Sequence, residues 1–192
     1  MLETLLNLDR DLFLFLNGIN NSFFDVIMYH ISEKYTWIPL YAFLLYLFIK
    51  EYKWKTLLFL VLVIISIAIS DQLSGIFKSY FERLRPCHDP EIQHLVHFIK
   101  CGGKYAFFSA HASSTFTLAA FVAFFFRSKK YLYLRIIFFT YAALNAYSRI
   151  YLGVHYPGDV IVGTAFGSFI GFSIGYLGMK FLKVQPINNS DS

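Results

Sequence analysis

The sequence predicts an all-α fold, a polytopic transmembrane bundle of about six helices that forms one membrane-embedded domain over residues 1–192. The first reason is composition, because 57% of the residues are hydrophobic, 20% are aromatic and the mean hydropathy is +0.52. The second reason is that the apolar residues form long runs bounded by basic clusters, a pattern typical of membrane spans. The net charge of +5 is concentrated at the ends of these runs, so it does not indicate nucleic-acid binding.

The N-terminal region, residues 1–33, permits two interpretations. Its first half has a helical apolar stripe that the charged residues 9–11 interrupt, and a polar break follows at residues 17–21. The apolar residues 23–31 are too few to cross about 30 Å of hydrocarbon as a helix. We expect an amphipathic interfacial helix followed by either a short span or a partial insertion.

Five later apolar runs are clear membrane spans. In chain order they cover residues 37–49, 57–76, 107–126, 131–147 and 160–179. If every run crosses, the basic turns at 50–55 and 127–130 and the basic C-terminal end share one side, which the positive-inside rule assigns to the cytoplasm. The polar residues at the opposite ends then face outward, which for a bacterial inner membrane is the periplasm.

The second span has a helical pattern that continues to Leu84, until Pro86 ends it. A helix over residues 57–85 would be about 43 Å long at 1.5 Å per residue, which exceeds the thickness of the hydrocarbon core. We therefore expect its last turns to protrude into water, with Lys78 and Arg85 on the same helix face.

The last span carries glycines at strict four-residue spacing. They are Gly163, Gly167, Gly171 and Gly175. Small residues in this pattern let a neighbouring helix approach closely. The glycines predict that the last helix lies in the centre of the bundle.

An arginine, a histidine and an aspartate lie within eleven positions just before the last span. Arg149, His155 and Asp159 fall close together, and Pro157 suits the first turn of a helix. If that helix begins near His155, the Asp159 carboxylate lies one turn away and can orient the imidazole. Arg149 offers donors that match phosphate. The group indicates a phosphate-handling site with an activated histidine, and the alternative is an interfacial loop whose charges face lipid headgroups.

Three segments that are distant in the sequence bring polar side chains to the same predicted outer surface. Residues 78–85 end the second span, residues 109–111 begin the third, and residues 149–159 precede the last. A chance distribution would have placed them on both sides of the membrane. Ionisable residues at membrane depth are usually functional, so this convergence favours a catalytic site.

These segments resemble the three motifs of the type-2 phosphatidic acid phosphatase superfamily. Residues 78–86 match the first motif, a lysine, six residues and then Arg-Pro. Residues 148–159 match the third, Ser-Arg, five residues, His, three residues and Asp. Residues 109–111 resemble the second motif, usually Pro-Ser-Gly-His, although Phe108 replaces its proline and Ala110 its glycine.

The resemblance implies a six-helix bundle that hydrolyses phosphate bonds through a phosphohistidine, without metal or cofactor. The residues implied to bind phosphate are Lys78, Arg85, Arg149, Ser109 and the backbone of Ala110. By the same resemblance, His155 is the nucleophile, Asp159 orients it, and His111 is the general acid that protonates the leaving oxygen. This agrees with the residue chemistry, because cations stabilise a transferring phosphoryl group and imidazoles attack and protonate.

The leading hypothesis is an enzyme that dephosphorylates a membrane lipid at the outer surface. Two kinds of substrate stay open: undecaprenyl diphosphate, or a phosphorylated lipid such as lipid A, phosphatidylglycerol phosphate or phosphatidate. The rival hypothesis is a transporter or binding protein that holds an anionic lipid without cleaving it. Such a protein needs cations, but it does not need two histidines and a positioned aspartate. The sequence does not indicate an oligomeric state.

Cys87 and Cys101 are the only two cysteines, and they share one predicted outer loop. We expect them to form a disulfide that closes a ring of about 15 residues, and the alternative is two free thiols. Together with His88, His94 and His97 they are clustered enough to suggest zinc. Their spacing fits no standard zinc pattern, so no metal site is expected.

Overall fold

The computed structural model describes residues 2–188, and within that range the fold is all-α, as the sequence predicts. Seven α-helices in this range are joined by short turns and by one long loop. They are α1 (Leu2–Gly18), α2 (Ser22–Ser32), α3 (Ile38–Tyr52), α4 (Thr56–Phe81), α5 (Ala110–Phe125), α6 (Leu132–Tyr151) and α7 (Pro157–Leu182). The five predicted spans correspond to α3 to α7.

The central helix of the bundle is α5, and most of its residues are buried by α4, α6 and α7. The closest packing is against the glycines of α7. A Cβ atom on Gly167 would stand 2.1 Å from the carbonyl oxygen of Ser113, and one on Gly171 would stand 2.3 Å from that of Thr117. No side chain fits there, so the two backbones are in direct contact. The predicted glycine face is confirmed, but the expected place of this helix was wrong. Helix α7 lies beside the central helix and not in the centre of the bundle, because its opposite face exposes apolar side chains such as Phe169.

The outer helices direct large apolar side chains away from the bundle. Ile64 of α4, Ile136 of α6 and Phe169 of α7 are all exposed. The stretch Lys34–Phe81, which contains α3 and α4, and the helix Pro157–Phe181 are long and apolar enough to cross a membrane. An apolar exterior on long helices is what a bilayer requires, because lipid offers no partner for polar groups.

Helices α1 and α2 lie at the end of the bundle where α4 and α6 finish and α5 and α7 begin, here called the site end. Both ends of α2 contact the last turns of α6. The backbone N–H of Asn21 donates to the Tyr151 hydroxyl at 3.2 Å, and the Asn145 amide donates to the Ile31 carbonyl at 2.7 Å. Helix α2 therefore runs along the site end and does not cross the bundle. Of the two interpretations of this region, this arrangement fits the partial insertion and not the short span.

The end of α4 differs from the sequence prediction. The helix stops at Phe81 and does not continue to Leu84, because Glu82 adopts the left-handed conformation with φ 47°. The chain then runs extended, and the Arg85 N–H donates to the Lys104 carbonyl at 3.1 Å. The expectation that Lys78 and Arg85 share a helix face was therefore wrong. The later loop, and not the helix, positions Arg85.

Candidate active site

His155 and Asp159 meet at the beginning of α7. The helix starts at Pro157, near His155 and with the proline in its first turn as expected, and His155 itself belongs to the loop before it. The Asp159 carboxylate folds back and accepts the Tyr156 N–H at 2.9 Å, and the same oxygen lies 3.6 Å from Nδ1 of His155. Both side chains are buried. The carboxylate is thus fixed beside the imidazole, at a distance slightly longer than a hydrogen bond.

The Nδ1 atom of His155 is buried and has no hydrogen-bond partner among the described residues. Burial, followed by the positive charges of the nearby arginines and lysine, holds the pKa of His155 well below its usual range. A lowered pKa keeps the imidazole neutral at neutral pH. The ring is therefore in the form that can act as a nucleophile.

Three cations approach this imidazole from three different segments. Lys78 comes from the last turn of α4, Arg85 from the extended segment after it, and Arg149 from the last turn of α6. All three side chains are half-buried, and the charge of each acts on His155. Their joint positive field at a partly buried site favours a phosphate dianion.

The loop after α4 holds Arg85 in place. Its Nε donates to the Tyr105 carbonyl at 3.2 Å. A Cβ atom on Gly102 would lie 2.5 Å from the Arg85 guanidinium, so glycine allows the loop to pass this close. Cys101, beside Gly102, forms a disulfide with Cys87, with a Cα–Cα distance of 6.1 Å. The bridge joins the two segments that flank the arginine.

The beginning of α5 carries the second motif. Ser109 is buried as the N-cap of the helix, and its hydroxyl accepts the Ala112 N–H at 3.4 Å. Its own N–H donates to the Asp159 carbonyl at 3.1 Å, which ties the motif to α7. Phe108, in place of the usual proline, is buried and stacks on Phe166 of α7 with a ring distance of 5.0 Å. The unusual residue therefore anchors the helix start against α7.

A cavity of about 370 Å³ opens beside these groups. His111 is exposed and lines it, as does Arg149. Lys34 and Lys100 line the same cavity from the turn after α2 and from the long loop. Arg149 also donates to the hydroxyl of Ser32 at the end of α2. The N-terminal region therefore forms part of the wall around the site.

Two residues of the site were missed by the sequence analysis. Arg83 bonds to Asp159 at 2.8 Å and to Asp9 of α1 at 2.7 Å. The position of Arg83 within the first motif was a usable signal. Asp9 gave none, since it stood out only as a charge that interrupts an apolar stripe.

The cysteines do not form a metal centre while they are bridged. The ligand atoms of Cys87, His88 and Cys101 lie within 4.8 Å of one another. Both sulfur atoms are joined in the disulfide, so neither is available as the thiolate that zinc binds.

A bundle of long apolar helices that gathers two histidines, an aspartate and three cations at one end defines a helical membrane phosphatase. The chain belongs to the PAP2 superfamily, which residues 57–183 match. The structure of Aquifex aeolicus LpxE is similar, with a TM-score of 0.66 and 29% identity over 91% of this chain and 96% of that one. A phosphatidylglycerolphosphate phosphatase of Bacillus subtilis shares the fold, with a TM-score of 0.72 and 21% identity over 93% and 88% of the two chains.

Curated relatives with related sequences are also phosphatases by name. A lipid A 4'-phosphatase of Bacteroides thetaiotaomicron is 37% identical over 94% of this chain and 81% of that protein. A lipid A 4'-phosphatase of Porphyromonas gingivalis is 39% identical over 88% and 72% of the two proteins. An undecaprenyl-diphosphatase of Sulfolobus acidocaldarius is 33% identical over 73% and 63%.

Proposed function

We propose that this protein removes a phosphate from lipid A, acting at the periplasmic face of the inner membrane. The observation that carries the proposal is the likeness to two lipid A 4'-phosphatases, each at least 37% identical over at least 88% of the chain. The site supports it, because its groups suit a phosphate monoester and two of them, His111 and Arg149, line the cavity.

The proposed reaction has two steps. In the first, Nε2 of His155 attacks phosphorus, because Nδ1 faces the carboxylate of Asp159. The bond from phosphorus to the lipid oxygen breaks, and His111 donates its proton to that oxygen. In the second step water attacks the phosphohistidine, the phosphorus–nitrogen bond breaks, and inorganic phosphate leaves as His111 takes the proton of the water. No metal or cofactor takes part in this scheme.

The proposed phosphate cradle uses Lys78, Arg85 and Arg149. They neutralise the charge that spreads over the phosphoryl oxygens in the transition state. The hydroxyl of Ser109 and the free N–H of Ala110, in the first turn of α5, add uncharged donors.

The wall of the cavity also fits a substrate with a second anionic group. Lys34 and Lys100 line it beside Arg149, and both are exposed. Glu33 lines the same wall, so three cations face one carboxylate there. A lipid that carries two phosphates on separate sugars can place one in the cradle and direct the other toward these lysines. The second candidate substrate is undecaprenyl diphosphate, which has both phosphates on one chain end. The observation that supports this candidate is the likeness to the Sulfolobus undecaprenyl-diphosphatase.

Phosphate release from purified protein in detergent with EDTA tests the proposal. The panel contains lipid A, undecaprenyl diphosphate, phosphatidylglycerol phosphate and phosphatidate, with His155→Ala as the blank. Release from lipid A at the highest kcat/KM, with loss of the 4' phosphate seen by mass spectrometry, is expected. Preference for undecaprenyl diphosphate would establish the second candidate. Binding of these lipids without release from any of them would favour the non-catalytic alternative.

A further inference from the structure

A single guanidinium joins the N-terminal helix to the beginning of α7. Nη1 of Arg83 lies 2.8 Å from Oδ1 of Asp159, and its Nη2 lies 2.7 Å from Oδ2 of Asp9. The guanidinium carbon also stands 4.0 Å from the centre of the Tyr156 ring. Each terminal nitrogen of Arg83 thus donates to one carboxylate, and the Tyr156 ring covers one face of the guanidinium.

Asp9 makes a second contact, with the backbone at a glycine. Its Oδ1 accepts the backbone N–H of Gly158, in the first turn of α7, at 2.7 Å. A Cβ atom on Gly158 would lie 2.8 Å from Oδ2 of the same carboxylate. A carboxylate at a helix N-terminus is stabilised by the exposed N–H groups and the helix dipole. Helix α1 therefore holds the start of α7 both through its backbone and through Arg83.

The guanidinium of Arg83 forms ion pairs with these two carboxylates. Its side chain is 21% exposed, against 16% for Asp9 and 0% for Asp159. Among the described residues, Lys78, Arg85 and Arg149 form no such salt bridge with a carboxylate. Ion pairing thus separates Arg83 from these three, although all four are cations at the site end.

We infer that Arg83 and Asp9 are positioning residues that hold the Asp159 carboxylate toward His155, and that α1 is thereby part of the catalytic apparatus. The inference rests on the proposed roles of His155 and Asp159. Asp159 faces Arg83, the Tyr156 N–H, His155 and, through its charge, Lys78. Because Arg83 holds Oδ1 of Asp159, the other carboxylate oxygen, Oδ2, stays beside Nδ1 of His155. Asp9 lies outside residues 57–183, which match the superfamily, so this chain supplies the support from its own N-terminal helix.

The test measures p-nitrophenyl phosphate hydrolysis by Arg83→Gln, Arg83→Lys and Asp9→Asn. We expect Arg83→Gln to lower kcat by about tenfold or more with little change in KM, because misaligned catalytic groups slow the chemical step. The acid limb of its kcat profile should move to higher pH, since a carboxylate that no guanidinium neutralises favours the protonated form of the adjacent His155 imidazole. Arg83→Lys should recover part of kcat. Asp9→Asn should lose less than Arg83→Gln.

Two controls separate positioning from general damage. Asp11→Asn removes the same charge from an exposed site two residues along α1, and it should retain the wild-type kcat. Inhibition by inorganic phosphate, the reaction product, should be unchanged in Arg83→Gln, because the three cradle cations are intact. An unchanged kcat and acid limb in Arg83→Gln would overturn the inference, as would equal losses in Asp9→Asn and Asp11→Asn. A wrong lipid assignment leaves this comparison intact, because p-nitrophenyl phosphate reports the site chemistry whatever the natural lipid is.

Discussion

At the scale of single residues, the structure gives the two histidines different surroundings. His155 is buried beside Asp159, whereas His111 is exposed to the cavity and has no carboxylate one helical turn away. A nucleophile must be held against phosphorus, while a general acid must reach the leaving oxygen from the substrate side. The surroundings therefore match the proposed division of roles.

Substituting the two histidines should separate these roles. His111→Ala should lose most activity on a lipid phosphate but keep a measurable share on p-nitrophenyl phosphate, because nitrophenolate leaves without a proton. His155→Ala should lose both activities, since no other group forms the covalent intermediate. Initial rates on the two substrates measure this, with His94→Ala, an exposed loop histidine, as the control. Survival of p-nitrophenyl phosphatase activity in His155→Ala, but not in His111→Ala, would reverse the assignment.

The pH–rate profile should be bell-shaped, with its acid limb set by His155. Burial and then the neighbouring cations lower the pKa of this imidazole, so its neutral form persists as the pH falls. The acid limb of kcat/KM should therefore lie below about 6.5, the ordinary value for histidine. The profile is measured on p-nitrophenyl phosphate, after the ionisation of the substrate has been determined separately. An acid limb at or above the ordinary value would contradict this role of His155.

At the scale of helices, the close pairing of α5 and α7 positions the site. The N-terminus of each carries catalytic candidates, and the two starts are joined where the Ser109 N–H donates to the Asp159 carbonyl. Glycines along α7 remove the side chains that would separate the backbones. The spacing between His111 and His155 therefore depends on a packing contact inside the membrane span, below the site itself.

Gly167→Ala should destabilise the protein and reduce activity. Its Cβ would stand 2.1 Å from a backbone oxygen of α5, so the helices must separate, at a cost of about 1–3 kcal/mol for overpacking. Gly75→Ala is the matched control, because it is also a helical glycine but has nothing within 4 Å of the added atom. Thermal unfolding in detergent, followed by phosphatase activity, measures both variants. Equal melting temperatures for the two would show that the close approach carries no constraint.

At the scale of the whole molecule, the site end and the basic turns lie at opposite ends of the bundle. The turns that contain Lys53 and Lys129 join α3 to α4 and α5 to α6, whereas the catalytic candidates gather at the other ends of the same helices. Helices α1 and α2 cover the site end. By the positive-inside rule, we expect the end with the basic turns to face the cytoplasm and the end with the catalytic candidates to face the opposite side.

Cysteine labelling should place the two faces on opposite sides of the membrane. Both native cysteines are bridged and do not react, so single cysteines can be introduced without removing them. Gln93→Cys, at an exposed position of the site-end loop, should react with an impermeant maleimide in intact cells. Lys129→Cys, at an exposed position of a basic turn, should react only after lysis. Labelling of Lys129→Cys in intact cells would refute the periplasmic location of the site.

The sequence alone determined the features that depend on neighbouring positions. Apolar runs, basic turns and the four-residue glycine spacing predicted α3 to α7, because burial in lipid and helix periodicity are properties of consecutive residues. The alternation of spans likewise brought Lys78, His111 and His155 to one end of the bundle, and the family resemblance implied their roles through short motifs.

Only the tertiary structure decided the contacts between distant segments. The end of α4 depends on the conformation of Glu82 and on the pairing of Leu84 with Tyr105. The helical pattern of the preceding residues contains neither contact, so it predicted the wrong position for Arg85. The ion pair of Arg83 with Asp9 joins residues 74 positions apart, and the bond from Gly158 to Asp9 spans 149. Such pairs arise from the packing of α1 against α7, and no local pattern of charge or hydrophobicity records it.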